Sequence, residues 1–243
     1  MRLKGCKVLV TGAAKRVGRV IALTLAAEGA RIFIHYKSSA KSALALQKQI
    51  RTKFKAEAEI LAADLGQVRE VERLAEAAWK IGPIDVLVNN ASTFYPTPLG
   101  KVREDQWNDL FNVNARAPFF LSQTLGLKMK KRARGKIINI ADWAALRPYT
   151  QYVPYCASKA ALVAVSQGLA KSLAPQVQVN TILPGPVMWP DDLGPEVLRS
   201  VLSQTPLNRI GKPEDIAHAV KFLIEGDYMT GSLIHVDGGR SIK

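Results

Sequence analysis

Cysteine is nearly absent from this sequence: Cys6 and Cys156 are the only two in 243 residues, and neither has a neighbour at ligand or redox spacing. That argues against a disulfide-stapled scaffold and a cysteine-based zinc site, and it fits a reducing compartment. Histidine is as scarce. His35, His218 and His235 have no partner at metal spacing, so no metal is expected. Long hydrophobic runs are missing too. The opening MRLKGCKVLVTG has an apolar run of only three residues before a glycine, far short of a signal-peptide core or a membrane span, so a cytoplasmic protein with no membrane partner is expected. Acidic side chains are outnumbered, 20 against 34 basic, for a formal net charge of +14. The content of 48% hydrophobic and 7% aromatic residues is that of an ordinary soluble globular chain.

The positive charge is localised. Residues 1–60 carry 13 basic and 3 acidic side chains and residues 126–175 carry 9 and 1, while the other two stretches are each slightly acidic. Such blocks suit nucleic acid, a membrane surface or a phosphorylated small molecule, and solvated helix ends explain them equally well. The run Lys128 to Lys136 falls at the expected end of a long helix, where the dipole favours cations.

Apolar, β-rich runs recur at 7–10, 31–36, 58–61, 84–89, 136–140, 177–183 and 232–236, which indicates seven strands. Helical stretches lie between most of them, with Gly29 and Gly82 placed where helices stop. Continuous rather than alternating hydrophobicity predicts strands covered on both faces. The expected fold is therefore α/β: a Rossmann-type, doubly wound sheet of about seven parallel strands in a single domain over residues 1–243. No composition break suggests a linker.

Directly after the first strand, Thr11-Gly12-Ala13-Ala14-Lys15-Arg16-Val17-Gly18 opens a helix. Glycines there allow close approach of a pyrophosphate, and free N–H groups at the helix start bind it. Folds that prefer NAD place a carboxylate at the end of the second strand. Here that end reads His35-Tyr36-Lys37-Ser38-Ser39, which offers a cation and donors to a 2′-phosphate, so NADPH is expected. Further along, Tyr155-Cys156-Ala157-Ser158-Lys159 puts a phenol and an ammonium on one helix face, a pairing that makes a usable acid if the ammonium lowers the phenol pKa.

These motifs, with Asp64-Leu65, Asn89-Asn90-Ala91, Asn114, Pro184-Gly185 and Asp237-Gly238-Gly239 in the same order, resemble the signature set of the short-chain dehydrogenase/reductase family over almost the whole chain. The resemblance implies Tyr155 as proton donor, Lys159 on the ribose and lowering the tyrosine pKa, and Asn114 supporting a proton-relay water. It places Gly12, Arg16, Val17, Gly18, His35, Tyr36, Lys37, Ser38, Asp64, Leu65, Asn89, Ala91, Pro184 and Gly185 along the cofactor. Three positions depart from the common pattern: Arg16 replaces the middle glycine of TGxxxGxG, Asp142 stands where a serine is usual, and Trp189 stands where threonine is frequent. Arg16 and Asp142, with the stretch Asn89 to Pro98, are similar to the pteridine reductase branch. That similarity implies pterin contacts from Arg16, Ser92, Asp142 and Tyr155, and Phe94 sandwiching the ring against nicotinamide; Trp189 receives no role.

The expected activity is NADPH-dependent reduction of a pterin or dihydropterin, with Tyr155 and Asp142 as the proton machinery. Two alternatives stand beside it. One is an NADPH-dependent carbonyl reductase acting on a sugar, steroid or 3-oxoacyl thioester, against which an ionised, acceptor-only Asp142 counts. The other is a non-catalytic nucleic-acid-binding or regulatory protein on the same fold, against which Tyr155 and Lys159 count. Family resemblance also implies a homotetramer or dimer built on helices such as 104–131 and 152–174.

Overall fold

The computed structural model describes residues 1–188 and 194–243. Trp189, which the sequence singled out, lies outside the described residues. Seven strands, β1 (Lys7–Val10), β2 (Arg31–Tyr36), β3 (Ala58–Ala62), β4 (Val86–Asn89), β5 (Gly135–Ile140), β6 (Val177–Pro184) and β7 (Leu233–Val236), form one sheet in the order β3-β2-β1-β4-β5-β6-β7. Every neighbouring pair is parallel. The fourth strand starts two residues later than its hydrophobicity suggests. Ile84 is buried beneath it, and at Asp85 the main chain still bonds to Lys7 and Lys136 while the carboxylate also accepts the Lys7 N–H at 3.0 Å.

Successive strand residues point to opposite faces, and because both sets are apolar the sheet is buried twice. Val8, Val10, Ile32, Ile34 and Ile138 pack with α1 (Arg16–Ala27), α2 (Ala40–Gln49) and, further along the sheet, α8 (Pro213–Glu225). Leu9, Phe33, Leu87, Ile137 and Val179 pack on the other face with α3 (Val68–Ile81), α5 (Ala117–Lys131) and α6 (Val153–Leu173). The remaining helices are α4 (Glu104–Phe111), which runs into α5 through a wide π-type turn at Asn112–Arg116, and α7 (Pro195–Ser203). Gly29 ends the first helical segment in the left-handed region at φ +83°, as its position suggests; Gly82 ends the third in extended backbone.

β1 sits mid-sheet, and the chain leaves it first toward β2 and later returns to its other side through β4. This reversal opens a crevice beyond the carboxyl ends of the strands, the place where such sheets bind ligands. Thr11, Lys37, Asn90, Asp142 and Gly185 all follow strands at this end.

Candidate active site

The turn after β1 is built for close approach. Gly12 has φ +62°, and a Cβ there would lie 3.0 Å from Ala91 Cα; at Gly18 a Cβ would lie 2.5 Å from both the Asn90 side chain and the Gly12 carbonyl. Thr11 Oγ1 accepts the Asn90 and Ala91 N–H groups at 2.9 and 3.0 Å, and Asn90 Nδ2 donates back to the Thr11 carbonyl at 2.9 Å. The two loops are thereby stitched together. No side chain caps the start of α1, so its N–H groups are left for an anion, and this cradle fits the diphosphate of a dinucleotide. Arg16, exposed, holds φ +52°, the left-handed conformation its glycine counterpart adopts without strain. Val17 packs against the core.

The His35 side chain, expected along the cofactor, is turned inward. It is buried, its Nδ1 accepts the Gly12 N–H at 3.0 Å, and its Nε2 therefore donates to the Ala63 carbonyl at 3.0 Å. Burial lowers its pKa to about 4, so the ring is a neutral strut that fixes the glycine turn to β2 and to the end of β3. Tyr36 is partly buried against the core, and Ser38 is exposed beside Lys37. Lys37 pairs with Asp64 at 3.0 Å. Burial pushes the Asp64 carboxyl up, but the Gly66 N–H and Lys37 outweigh it and hold the group below its ordinary range. Leu65 and Asn89 are likewise turned inward. Leu65 is core, and Asn89 Nδ2 donates to Asn139 Oδ1 at 2.7 Å and Ser122 Oγ at 3.0 Å. Asn139 continues the chain to Ser166 at 2.7 Å. This buried polar ladder was missed in the sequence, although a polar residue inside the apolar run KIINI is the signal for it. Beyond β6, Gly185 lets Asp237 pack where a Cβ would lie 2.6 Å from its Cα, and Pro184 ends the strand.

At the neighbouring strand ends the proton-carrying groups converge. Asp142 follows β5 and caps a short 3-10 turn: one carboxylate oxygen accepts the Ala144 N–H at 2.8 Å, the other accepts the Tyr155 hydroxyl at 2.7 Å. Lys159, one helical turn beyond Tyr155, donates to the Ile140 carbonyl at 3.0 Å and lies 5.9 Å from the centre of the Tyr155 ring. The expectation that this ammonium lowers the phenol pKa is corrected. Tyr155 is raised well above its ordinary value by burial and then by the Asp142 charge, and Lys159 itself is lowered by burial to about 8. Asp142 is raised by burial, against the pull of the Ala144 N–H, Tyr155, Lys159 and Arg240. The pair thus holds its proton tightly in the protein as it stands.

Asn114, fully buried, is displayed by the wide turn between α4 and α5. Its Oδ1 accepts from Ser92 Oγ and the Thr93 N–H, both at 2.9 Å, and its Nδ2 donates to the Thr93 carbonyl at 3.0 Å and Ser158 Oγ at 3.1 Å. All of its side-chain positions are used, so any part in a proton relay falls to its main chain. What the side chain does is clamp the loop carrying Ser92 and Phe94. The Phe94 ring is 55% exposed, stacked on Tyr152 at 4.6 Å and edge-on to Tyr155 at 4.7 Å. One of its faces is therefore taken inside the protein. Trp143 donates its indole N–H to Tyr149 at 2.7 Å, and Arg240 lies 4.8 Å over the Trp143 ring. None of Tyr149, Tyr152, Trp143 and Arg240 was singled out in the sequence; Tyr152, three residues before Tyr155 on one helix face, was the most readable.

Comparison with known proteins agrees with this geometry. Residues 12–241 match the family model described as enoyl-(acyl carrier protein) reductase. A short-chain type dehydrogenase/reductase of Picea abies is 32% identical over 98% of this chain and 93% of its own length. The 3-oxoacyl-[acyl-carrier-protein] reductase FabG of Staphylococcus aureus is 33% identical over 95% of this chain and 96% of its own. Among solved structures, FolM alternative dihydrofolate reductase 1 from Brucella canis, complexed with NADP, superimposes with a TM-score of 0.92 at 32% identity, covering 100% of this chain and 96% of that one. The chain belongs to the short-chain dehydrogenase/reductase family of oxidoreductases.

Proposed function

For a member of this family with a carboxylate beside its tyrosine, we propose NADPH-dependent reduction of a pterin or dihydropterin ring. The observation that carries the reading is the 2.7 Å hydrogen bond from Tyr155 to Asp142. A ketone oxygen needs donors as it becomes an alkoxide, and a carboxylate supplies none. A pterin instead presents N–H groups that Asp142 can accept from, together with a flat face for the exposed side of Phe94. The Brucella relative, an alternative dihydrofolate reductase, supports a substrate of this type. The Staphylococcus relative supports the rival, reduction of a 3-oxoacyl thioester.

Gly12, Gly18 and the start of α1 would hold the diphosphate, and Lys37 and Ser38 the charge of a 2′-phosphate. The Lys37–Asp64 pair is exposed enough to exchange partners at little cost. Bound there, the cofactor supplies a hydride to a ring carbon. The chain's own residues manage the rest. Ser92 and Arg16 orient the polar edge of the ring, Phe94 covers one face, and Tyr155 gives its proton to the ring nitrogen next to the reduced carbon. Asp142 steadies the hydroxyl beforehand and shares the proton that returns, while the Lys159 charge offsets the anion left behind. Main-chain groups at Asn114 and at Pro184-Gly185 border the site. Residues 1–243 act as one cytoplasmic domain in this reading, in a homo-oligomer formed on the α4, α5 and α6 side, where Trp107, Leu127 and Val153 are exposed.

The test is turnover of dihydrobiopterin, dihydrofolate, dihydromonapterin, a 3-oxoacyl thioester and simple ketones, each with NADPH and with NADH. The dihydropterins should be reduced, with NADPH preferred by at least about tenfold, the worth of one charge-assisted contact. Reduction of the thioester alone, or equal use of both cofactors, would overturn it.

A further inference from the structure

Arg240 is a buried cation, 8% exposed, with no carboxylate at ion-pair distance among the described residues and with its Nε unpartnered. The turn that carries it is rigid: the Asp237 carboxylate accepts the Gly239 and Ser241 N–H groups at 2.9 and 2.8 Å. From there the guanidinium faces two ways. On one side Nη1 donates to the Val201 carbonyl at 2.9 Å and Nη2 to Gln204 Oε1 at 3.2 Å, at the end of α7. On the other its Cζ lies 4.8 Å over the ring of Trp143, which directly follows Asp142 and is itself held by Tyr149. α7 buries none of its own residues, so it lacks the apolar anchor that holds the other long helices. We propose that Arg240 is a positioning residue of the reductase site, one cation that tethers α7, the helix after the β6 loop, to the turn bearing Asp142 and places its charge behind that carboxylate.

A broad cation over an aromatic ring and several donors in a fixed fork suit arginine to this double contact, and lysine can keep only the charge. The groups facing Asp142 are Tyr155, Lys159 and Cys156 from α6, Tyr149 from the preceding loop, and Arg240. Of these, Arg240 alone also bonds to α7, and it reaches the turn bearing Asp142 through Trp143. Its charge opposes the burial that raises the Asp142 pKa. The two parts of the role are therefore separable: charge acts on Asp142, and shape acts on α7.

The inference rests on the reading of Asp142 as proton machinery, so its first readout needs no substrate. The ¹³C signal of the Asp142 carboxyl, assigned by its loss in Asp142→Asn, is titrated in the full chain for the unmodified protein, Arg240→Gln and Arg240→Lys. Removing the cation should raise the Asp142 midpoint in Arg240→Gln, and Arg240→Lys should restore it. Steady-state kinetics on whichever substrate the unmodified chain reduces should show KM rising about tenfold in Arg240→Lys with kcat nearly kept. Should Arg240→Gln not fold, Arg240→Lys still decides the case through its KM. An unmoved midpoint in Arg240→Gln, or a KM unchanged in Arg240→Lys, overturns the proposal. Failure of the pterin reading would show instead as turnover of ketones alone, with the titration result intact.

Discussion

Arg16 holds a backbone conformation that costs a non-glycine residue about 1–2 kcal/mol, at the mouth of the glycine turn. Strain of this kind persists where the side chain serves the site. Arg16→Gly should therefore raise the melting temperature by about 2–4 °C per kcal/mol relieved, partly offset by the freer unfolded chain, while raising the KM for NADPH or pterin about tenfold. Thermal melts and steady-state kinetics on the same preparation check both halves. Stability gained with affinity unchanged would leave Arg16 without a role in binding. That Gly12, Gly18, Tyr155, Lys159 and Asp142 gather at the ligand end of the sheet follows from their places in the motif set, Asp142 entering only through the resemblance. Their titration does not. A sequence shows that Tyr155 and Lys159 share a helix face, but only the structure shows that Asp142 and burial, rather than the ammonium, dominate the phenol.

At the scale of elements, all seven strands were legible from apolar runs, because a sheet buried on both faces leaves no other pattern. Helix ends were less so: α2 stops at Gln49, and a wider π-type turn follows at Ile50–Phe54 with no break in the sequence pattern to mark it. What the sequence hides is which polar residues join elements. His35 looks like a cofactor contact because it ends β2, and it is in fact the peg between β2, the glycine turn and β3. Its pKa, lowered by burial to about 4, makes a prediction with a definite sign. The unfolded chain takes up the proton near pH 6.5 and the folded one only near 4. Stability should thus be full above about pH 6.5 and fall as the pH drops toward 4, by on the order of 3 kcal/mol from this group. Urea unfolding at pH 7 and pH 5, for the unmodified chain and His35→Gln, checks it. The variant should be less stable at pH 7 and should lose much of that pH dependence; an unchanged slope would mean other groups carry it.

Across the whole molecule, the charge of +14 reads differently once the chain is folded. In the basic run from Lys128, Lys128 pairs with Glu76, Arg132 and Arg134 flank the buried Asp85, Lys130 donates to the Ser172 carbonyl, and Lys136 is buried against the Leu223 and Gly226 carbonyls. These contacts tie Lys128, Lys130, Arg132, Arg134 and Lys136 into the architecture at the end of the sheet away from the crevice. Lys15, Arg16 and Lys37, exposed at the ligand end, suit a phosphorylated cofactor. The account therefore turns on one atom pair, and one ratio tests it: kcat/KM for a dihydropterin over kcat/KM for a 3-oxoacyl thioester, both with NADPH, in the unmodified protein and in Asp142→Ser. The unmodified protein should favour the dihydropterin, and the variant should lose roughly two to four powers of ten on it, as expected when partners are left unpaired in a desolvated site, with thioester reduction kept or increased. Efficient thioester reduction by the unmodified protein with no dihydropterin turnover, or a ratio that Asp142→Ser leaves in place, would contradict the account.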